Sequence, residues 1–487
     1  MTNNNRQQLG SKSGIDWGSI AIFALLMILG WLNIYAAVFD ETHISDSIWS
    51  TGYGSQLMWI GISFVAAVII MFIDEIYYHI AAYPLYTLMI IVLIATLFIG
   101  VEINGARSWL RFGGFSVQPA EFAKFTTALA LARMMSSYGF SISNWRSRIA
   151  AALLLFIPML VILLQNDTGS AIVFSSFLLV FYREGIDGKY FLILGIIIFL
   201  FIASFLLSPT LLLTIIILIC VLLEAAANNR WINSIRYLSA VWLAALTIFF
   251  ASKILFHSDL SFYTNLLISV ILSLPIVLIY AHKEKLKNIP LYIGILFALT
   301  GFTWSVDMVF DHMQLHQQKR ILNLLGIEND PQHWGYNVHQ SKIAIGSGGF
   351  LGKGYLNGTQ TKYDFVPEQS TDFIFSTVGE EWGFVGTTIT LSLFCILILR
   401  LIRMGERQQE AFGRVYCYSV AGIFLFHVLV NVGMTIGIMP VIGIPLPLFS
   451  YGGSSLLAFT MLFFVAVRLD SLQRKNSESV TSSAGRI

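Results

Sequence analysis

Charge is what this chain has least of. Of its 487 residues, 11% are Asp, Glu, Lys or Arg, while 56% are hydrophobic and the mean hydropathy is +0.74. Soluble domains carry roughly 25% charged residues. A soluble fold of this size could not hide so much apolar surface, so the deficit excludes one and points to a polytopic membrane protein. The net charge of +2 decides little, because in such a protein the placement of charge outweighs its sum. Cysteine is scarce as well. Cys220, Cys395 and Cys417 lie singly inside apolar runs. Their spacing offers neither a metal site nor a disulfide framework, and they read as small buried hydrophobes. Also missing are a domain linker, an internal repeat, a low-complexity segment, a transit peptide and a lipidation motif. No nucleic-acid partner is expected.

What the chain has is apolar runs near the 20 residues or so that cross a bilayer core. They lie at about 17–39, 55–73, 79–100, 118–137, 148–165, 168–183, 189–207, 209–227, 237–257, 262–281, 289–308, 374–402, 411–438 and 450–469. The first is longer than a signal-peptide core and reads as a retained span. The reading is therefore an all-α polytopic membrane protein with about 14 transmembrane helices and one large extracytoplasmic loop.

The basic residues orient it. With the N-terminus inside, the inner gaps hold Arg133, Arg146 and Arg148; Arg183 and Lys189; Arg230 and Arg236; Lys283, Lys285 and Lys287; and Arg400, Arg403, Arg407 and Arg414. Outer gaps near 39–54, 166–167, 208, 258–261 and 439–449 hold neither Lys nor Arg. This is the positive-inside pattern. It puts both termini in the cytoplasm and the 311–372 loop outside. Two outer segments break the pattern. One is that loop, with Lys319, Arg320, Lys342, Lys353 and Lys362. The other is the short stretch from Glu102 to Gln118, with Arg107 and Arg111. Cations kept on the unfavoured side suggest an anionic ligand there; the competing reading is that long loops translocate whatever their charge. The serine-rich tail after Lys475 is expected to be unstructured.

Ionisable groups inside a span are costly and are functional candidates by default. Glu121 and Lys124, three apart after Pro119, share a helix face and can pair, either around a ligand or as a structural ion pair. Asp167, between two spans, is a candidate that could equally be a helix cap. Glu380 and Glu381 sit in the span after the loop. Ser450 and Ser454 belong to Pro445-Leu446-Pro447 through Gly452-Gly453-Ser454-Ser455, which breaks a helix at membrane depth. Such a break is tolerated where backbone is buried in protein or lines a wet cavity. The glycine cluster from Gly346 to Gly354 fails as a nucleotide P-loop: its spacing is wrong, and Gly354 stands where Ser or Thr is needed. Its amides could still approach a diphosphate. No nucleotide cofactor is expected.

These motifs, taken with Asn104-Gly105-Ala106-Arg107-Ser108-Trp109-Leu110, Asp167-Thr168-Gly169, Asn329-Asp330-Pro331, Gln340-Ser341-Lys342, Gly358-Thr359-Gln360 and Thr371-Asp372-Phe373, resemble the SEDS family (shape, elongation, division, sporulation), on its elongation branch. The resemblance is collinear over both ends of the chain. It implies a peptidoglycan glycosyltransferase that polymerises lipid II during cell elongation, and so helps determine cell shape. The expected partners are a class B penicillin-binding protein, other elongation-complex proteins and the cytoplasmic (inner) membrane. The family's essential carboxylate falls on Asp330, its loop tryptophan on Trp109, and its cavity pair on Glu121 and Lys124. The further motif residues Gln340, Ser341, Lys342, Thr371 and Asp372 are expected at the substrate.

The family core has ten spans, so four are expected to be added. The division expected is a tail at 1–16, N-terminal core helices at 17–188, inserted helices at 189–288, the rest of the core with its catalytic loop (309–372) at 289–470, and a tail at 471–487. In the implied reaction Asp330 is the candidate general base. Arg107, Arg111, Lys124 and Lys342 would receive the departing diphosphate, together with Mg²⁺ or Mn²⁺, which favour oxygen ligands. Two rival readings are a lipid II flippase, which many spans and a broken helix would suit, and a scaffold that only docks the transpeptidase.

Overall fold

The structure, a computed structural model, describes residues 14–38, 51–103, 105–113, 115–228, 231–255, 261–283, 289–313, 315, 318–319, 322, 335–363 and 365–484. In chain order the elements are α1 (Trp17–Val38), α2 (Gly52–Phe72), α3 (Glu75–Ile99), β1 (Val101–Ile103), β2 (Ala106–Phe112), β3 (Phe115–Val117), α4 (Pro119–Met135), α5 (Trp145–Leu164), α6 (Thr168–Ile172) and α7 (Leu178–Arg183). Then come α8 (Lys189–Leu206), α9 (Pro209–Asn228), α10 (Trp231–Leu255), α11 (Phe262–Lys283) and α12 (Ile289–His312). The chain ends with α13 (Tyr336–Ser347), α14 (Thr359–Lys362), α15 (Ile374–Arg407), α16 (Ala411–Thr435) and α17 (Gly453–Ala484).

Every apolar run becomes helix, and among the described residues ten of these helices are long and apolar enough to cross a membrane. The protein is a multi-pass membrane protein. Two of the other four runs differ from a full span for physical reasons. The run at 168–183 is divided by a 3₁₀ segment at Val173–Phe177. Helices α9 and α10, of 20 and 25 residues, are themselves long enough to cross a bilayer core. Helix α4 has 17 residues, with Glu121, Lys124 and Arg133 among them, and nearly all are buried. It packs against α3, α5, α16 and α17, so it needs no apolar face for lipid. The tail differs from expectation as well: α17 runs past Lys475 to Ala484, and its sequence holds no proline or glycine between Gly453 and Gly485 to stop it. An unforeseen antiparallel sheet, ordered β1-β2-β3, fills the segment between α3 and α4.

The chain divides into two compact units, 1–187 with 330–487, and 188–329. In the second, α9 carries two apolar faces. Leu212, Ile216 and Cys220 pack with Leu200 and Ala203 of α8 and with Ile295, Leu296, Leu299 and Phe302 of α12. Leu213 and Ile217 pack with Ala245 of α10 and Leu266 and Val270 of α11.

In the first unit the polar groups collect at two ends. At one, Asp16 accepts from Arg400 (2.9 Å) and Arg474 (3.1 Å), and Asp470 takes a two-pronged bond from Arg407. Arg414 is bidentate to Glu184, Arg183 reaches Glu406, and Arg468 reaches Asp74. The opposite end holds the sheet, the start of α4, residues 165–170, the 335–373 loop and the non-helical stretch 436–452. Gln369 donates to Ala37 O (2.9 Å), Tyr355 to Leu32 O (3.2 Å), and the Gly452 amide to Gln56 (3.2 Å). Among the described residues, the charges read as inner in the sequence and lying in this unit fall at the first end.

Candidate active site

The site is built at the second end. Strand β2 holds Arg107, Trp109 and Arg111 at alternate positions, so they share one face, while Ser108 of the other face is buried. Arg107 is exposed and lies 3.7 Å from Glu102; Arg111 is exposed and Trp109 half-buried. The Arg107 amide donates to Gln165 O (2.9 Å), which ties the sheet to the end of α5. There Asp167 does two things. Its Oδ1 caps α6 through the Ser170 amide (2.9 Å), and its Oδ2 accepts from Gln118 Nε2 (2.7 Å) and Ser170 Oγ (3.0 Å). The cap and the polar cluster are one arrangement. Ser454 Oγ accepts the Gln118 amide (3.4 Å), which brings the start of α17 to the start of α4.

Gly169 packs so closely on Ile442 O (2.6 Å to a Cβ placed there) that no side chain fits. This fixes the Asp167-Thr168-Gly169 turn on the 436–452 stretch. Asp372 Oδ2 approaches Gly443 in the same stretch, and Lys342 lies against Gly437. Lys342 is exposed and has no ion-pair partner among the described residues. Ser341 donates to Thr435 O (2.9 Å), anchoring α13 to α16. Ser450 is internal to its own turn, taking the Leu446 amide (2.8 Å). Thr371 Oγ1 bonds Glu368 (3.0 Å to Oε2), and Gln340 is half-buried on α13.

Beneath this layer Lys124 Nζ bonds Glu121 Oε1 (2.8 Å) and His427 Nε2 (2.9 Å), and lies 5.1 Å from the centre of the Phe459 ring. Both Lys124 and Glu121 are sealed from solvent, and Glu121 Oε2 has no partner among the described residues. A neutralised pair can stay ionised in such surroundings where a lone charge could not. His427 and Asn431, which bonds Asp372 O and Ile444 O (both 2.8 Å), were not singled out in the sequence. Their one signal is polarity inside an otherwise apolar run.

Two groups turn out to serve the scaffold. Glu380 is fully buried; its Oε1 takes the amides of Thr359 (2.8 Å) and Gln360 (2.9 Å) and the Lys353 ammonium (2.7 Å), and its Oε2 takes the Thr361 amide and hydroxyl (3.0 Å each). Five strong donors leave it little capacity for substrate. The glycine cluster spends its backbone on α15: Lys353 N and Gly354 N donate to Glu380 O and Glu381 O, and Phe384 N and Val385 N donate to Gly349 O and Phe350 O. It pairs the groups freed where α15 breaks at Gly383, rather than cradling phosphate. Asp330 lies outside the described residues. Glu75, His79 and Glu410, spaced as metal ligands could be, lie at the opposite polar end, and Arg133 faces His79 Nδ1 (3.2 Å) there.

A family profile described as "Cell cycle protein", FtsW/RodA/SpoVE, matches residues 16–214 and 200–475. The chain belongs to this family. It is 32% identical over 450 residues to the peptidoglycan glycosyltransferase RodA of Treponema pallidum, covering 91% of this chain and 94% of that one. To the peptidoglycan glycosyltransferase MrdB of Escherichia coli it is 39% identical over 226 residues, 43% of this chain and 61% of the relative. Among solved structures, a chain from a peptidoglycan synthase complex that coordinates polymerization and crosslinking matches with TM-score 0.61 at 23% identity, over 94% of this chain and 98% of that chain. The rod shape determining protein RodA of Thermus thermophilus matches with TM-score 0.53 at 24% identity, over 94% and 97%. These likenesses carry the FtsW/RodA/SpoVE fold.

Proposed function

We propose that this chain is a peptidoglycan glycosyltransferase that extends glycan strands from lipid II, on the outer face of the cytoplasmic membrane, beside a class B penicillin-binding protein. The observation that carries the reading is the composition of one polar end. A cationic and aromatic strand face tied to the end of α5, the Asp167 turn, Asp372 and a Lys342 with no ion-pair partner among the described residues lie at one end, the end that lacks the arginine clusters. The names of the relatives agree with it. Both termini then lie in the cytoplasm.

The chemistry joins a sugar hydroxyl to an anomeric carbon as a lipid diphosphate leaves. The hydroxyl loses its proton as it attacks, and Asp330 is the proposed base; a positioned base contributes about 10²–10⁴ in rate. An Asp with an ordinary pKa near 3.9 is a weak base, so most of the barrier must fall through stabilising the diphosphate as its charge develops. Arg107, Arg111 and Lys342 are exposed and can meet it directly. Trp109, between the two arginines on their face, offers a ring to a sugar. Lys124 is enclosed and acts from below, through its field. A divalent cation such as Mg²⁺ or Mn²⁺, which favours oxygen ligands, would supply further charge neutralisation at the diphosphate.

The test is glycan polymerisation by the purified chain with its transpeptidase. Asp330→Asn, which keeps the shape and removes the base, abolishes strand growth while leaving transpeptidase binding intact. Wild-type polymerisation by that variant would remove Asp330 from the mechanism.

A further inference from the structure

We propose that His427 is a positioning residue of the transfer reaction: its neutral ring holds the Lys124 ammonium and ties it to the proline-rich stretch that lies under the substrate. The inference rests on the reading of the site given above.

The ring's protonation is forced by its neighbours. Its Nδ1 lies 3.0 Å from Pro445 O. A carbonyl only accepts, so Nδ1 carries the hydrogen. Its Nε2 lies 2.9 Å from Lys124 Nζ. An ammonium only donates, so Nε2 presents its lone pair. Both partners demand the same neutral tautomer. Phe459 packs edge-on against the ring, 4.9 Å between centres, and so fixes its plane. The ammonium in turn has three donors and three neighbours: Glu121 Oε1, His427 Nε2 and the Phe459 face. Remove the imidazole acceptor and one buried N–H is stranded, which a flexible lysine relieves by swinging away.

The other end of the tie gives it a function. Pro445 belongs to the 436–452 stretch, whose backbone includes Gly437 and Gly443 at φ +75° each and Leu448 at φ +65°. Gly437 lies against Lys342, Gly443 beside Asp372, and Ile442 O against Gly169 of the Asp167 turn. One imidazole therefore links the enclosed cation to the backbone on which the exposed site groups rest. A structural polar residue on α16 needed only one local bond; this one spans α4, α16 and the broken stretch.

The experiment measures lipid II polymerisation by the full chain with its transpeptidase in nanodiscs, giving kcat and KM alongside thermal unfolding. Glutamine places its amide near Nε2 and can accept from Lys124; asparagine places its amide near Nδ1 and cannot. His427→Asn and His427→Phe are expected to lower kcat about tenfold or more, as small misplacements of site groups do, with KM near wild type and an unfolding temperature that falls but stays above the assay temperature. His427→Gln recovers most of that loss. In a Lys124→Met background, His427→Asn costs nothing further, because a residue acting through Lys124 has nothing left to position.

Wild-type kcat in His427→Asn, glutamine no better than asparagine, or losses that multiply with Lys124→Met would each overturn the inference. If asparagine and phenylalanine both lose the fold, glutamine alone decides: a kcat below about a third of wild type in folded protein counts against it. The two readings fail separately. Polymerisation by Asp330→Asn sinks the proposed base and leaves the His427 comparison standing. Impaired Lys124→Met beside intact His427→Asn sinks only the present inference.

Discussion

At the scale of single residues, a buried charge is explained by counting its partners. Glu380 looked like a substrate ligand because a carboxylate in a span is costly. The structure surrounds it with donors from Lys353 and Thr359 to Thr361, and each of its oxygens faces at least one N–H that cannot accept. A glutamine there must turn its amide nitrogen toward another N–H. Glu380→Gln is therefore expected to destabilise the protein by about 3 kcal/mol, the scale of a buried ionic partner left stranded. It should also open the 353–362 segment to trypsin at Lys353. Thermal unfolding and limited proteolysis check this, and an unchanged cleavage pattern would return Glu380 to the list of substrate groups. Lys124 shows the same lesson from the other side. The i,i+3 spacing made its pairing with Glu121 readable in sequence, but the third member, His427, stands 303 residues away in a run whose hydropathy hides it.

At the scale of elements, α15 breaks at Gly383, where φ is +62° and ψ is −156°, a region open to glycine alone. The glycine loop closes the break, with Gly352 so near Glu381 and Gly383 that neither glycine tolerates a Cβ. Gly383→Ala combines this backbone strain, about 1–3 kcal/mol, with a clash against the Gly352 amide. It should lower the unfolding temperature and detach the 348–354 loop, seen as faster amide exchange at Phe384 and Val385. This is also where sequence reading reached its limit. Spans were legible because each apolar run must be helical in lipid. The cap at Asp167 and the pair at Glu121 were legible because their partners lie within three residues. The use of the glycine cluster was not, because its partner lies some thirty residues on, and a glycine-rich string looks the same whether it meets phosphate or backbone. The small sheet escaped for a similar reason: Ala106–Phe112 holds no β-branched residue, and its Trp109, Leu110 and Phe112 do not alternate with the polar ones, so its strand character comes from tertiary pairing. Asp330 lies outside the described residues, so its proposed role rests on the Asn329-Asp330-Pro331 motif.

At the scale of the whole molecule, two further consequences can be measured. The first concerns sidedness. The two polar ends of the first unit should face opposite compartments, with arginine-rich Asp16, Glu184, Asp470 and their partners in the cytoplasm. Tyr138, between α4 and α5, is fully exposed, and Tyr363, in the 335–373 loop, is 67% exposed. In a Cys395→Ala background, cysteine at 363 should react with an impermeant maleimide in spheroplasts, and cysteine at 138 only after lysis. The reverse result would invert the protein and detach the proposed site from its substrate.

The second concerns the helices of the 188–329 unit. Motif and span counting set off 189–288 as an addition, but packing draws a different line. Helix α12 leans on α8 and α9 through Ile295, Leu296, Leu299 and Phe302, while α10 and α11 pack on the other face of α9 through Ala245, Leu266 and Val270. Removing 231–283 takes out one antiparallel pair, leaves a seven-residue connection from α9 to α12, and keeps every later helix in its orientation because two crossings are lost. Its cost is the newly bared face of α9, Leu213 and Ile217, which lipid can cover without the penalty water would impose. That deletion should accumulate in the membrane and still polymerise lipid II with its partner. Removing 189–288 also loses an even number of crossings, but strips α12 of Leu200, Leu212 and Ile216 just before the chain enters the loop that bears Asp330. It should lose polymerisation even where the protein inserts. Equal activity in the two deletions would mean that α12 needs no partner in its own unit.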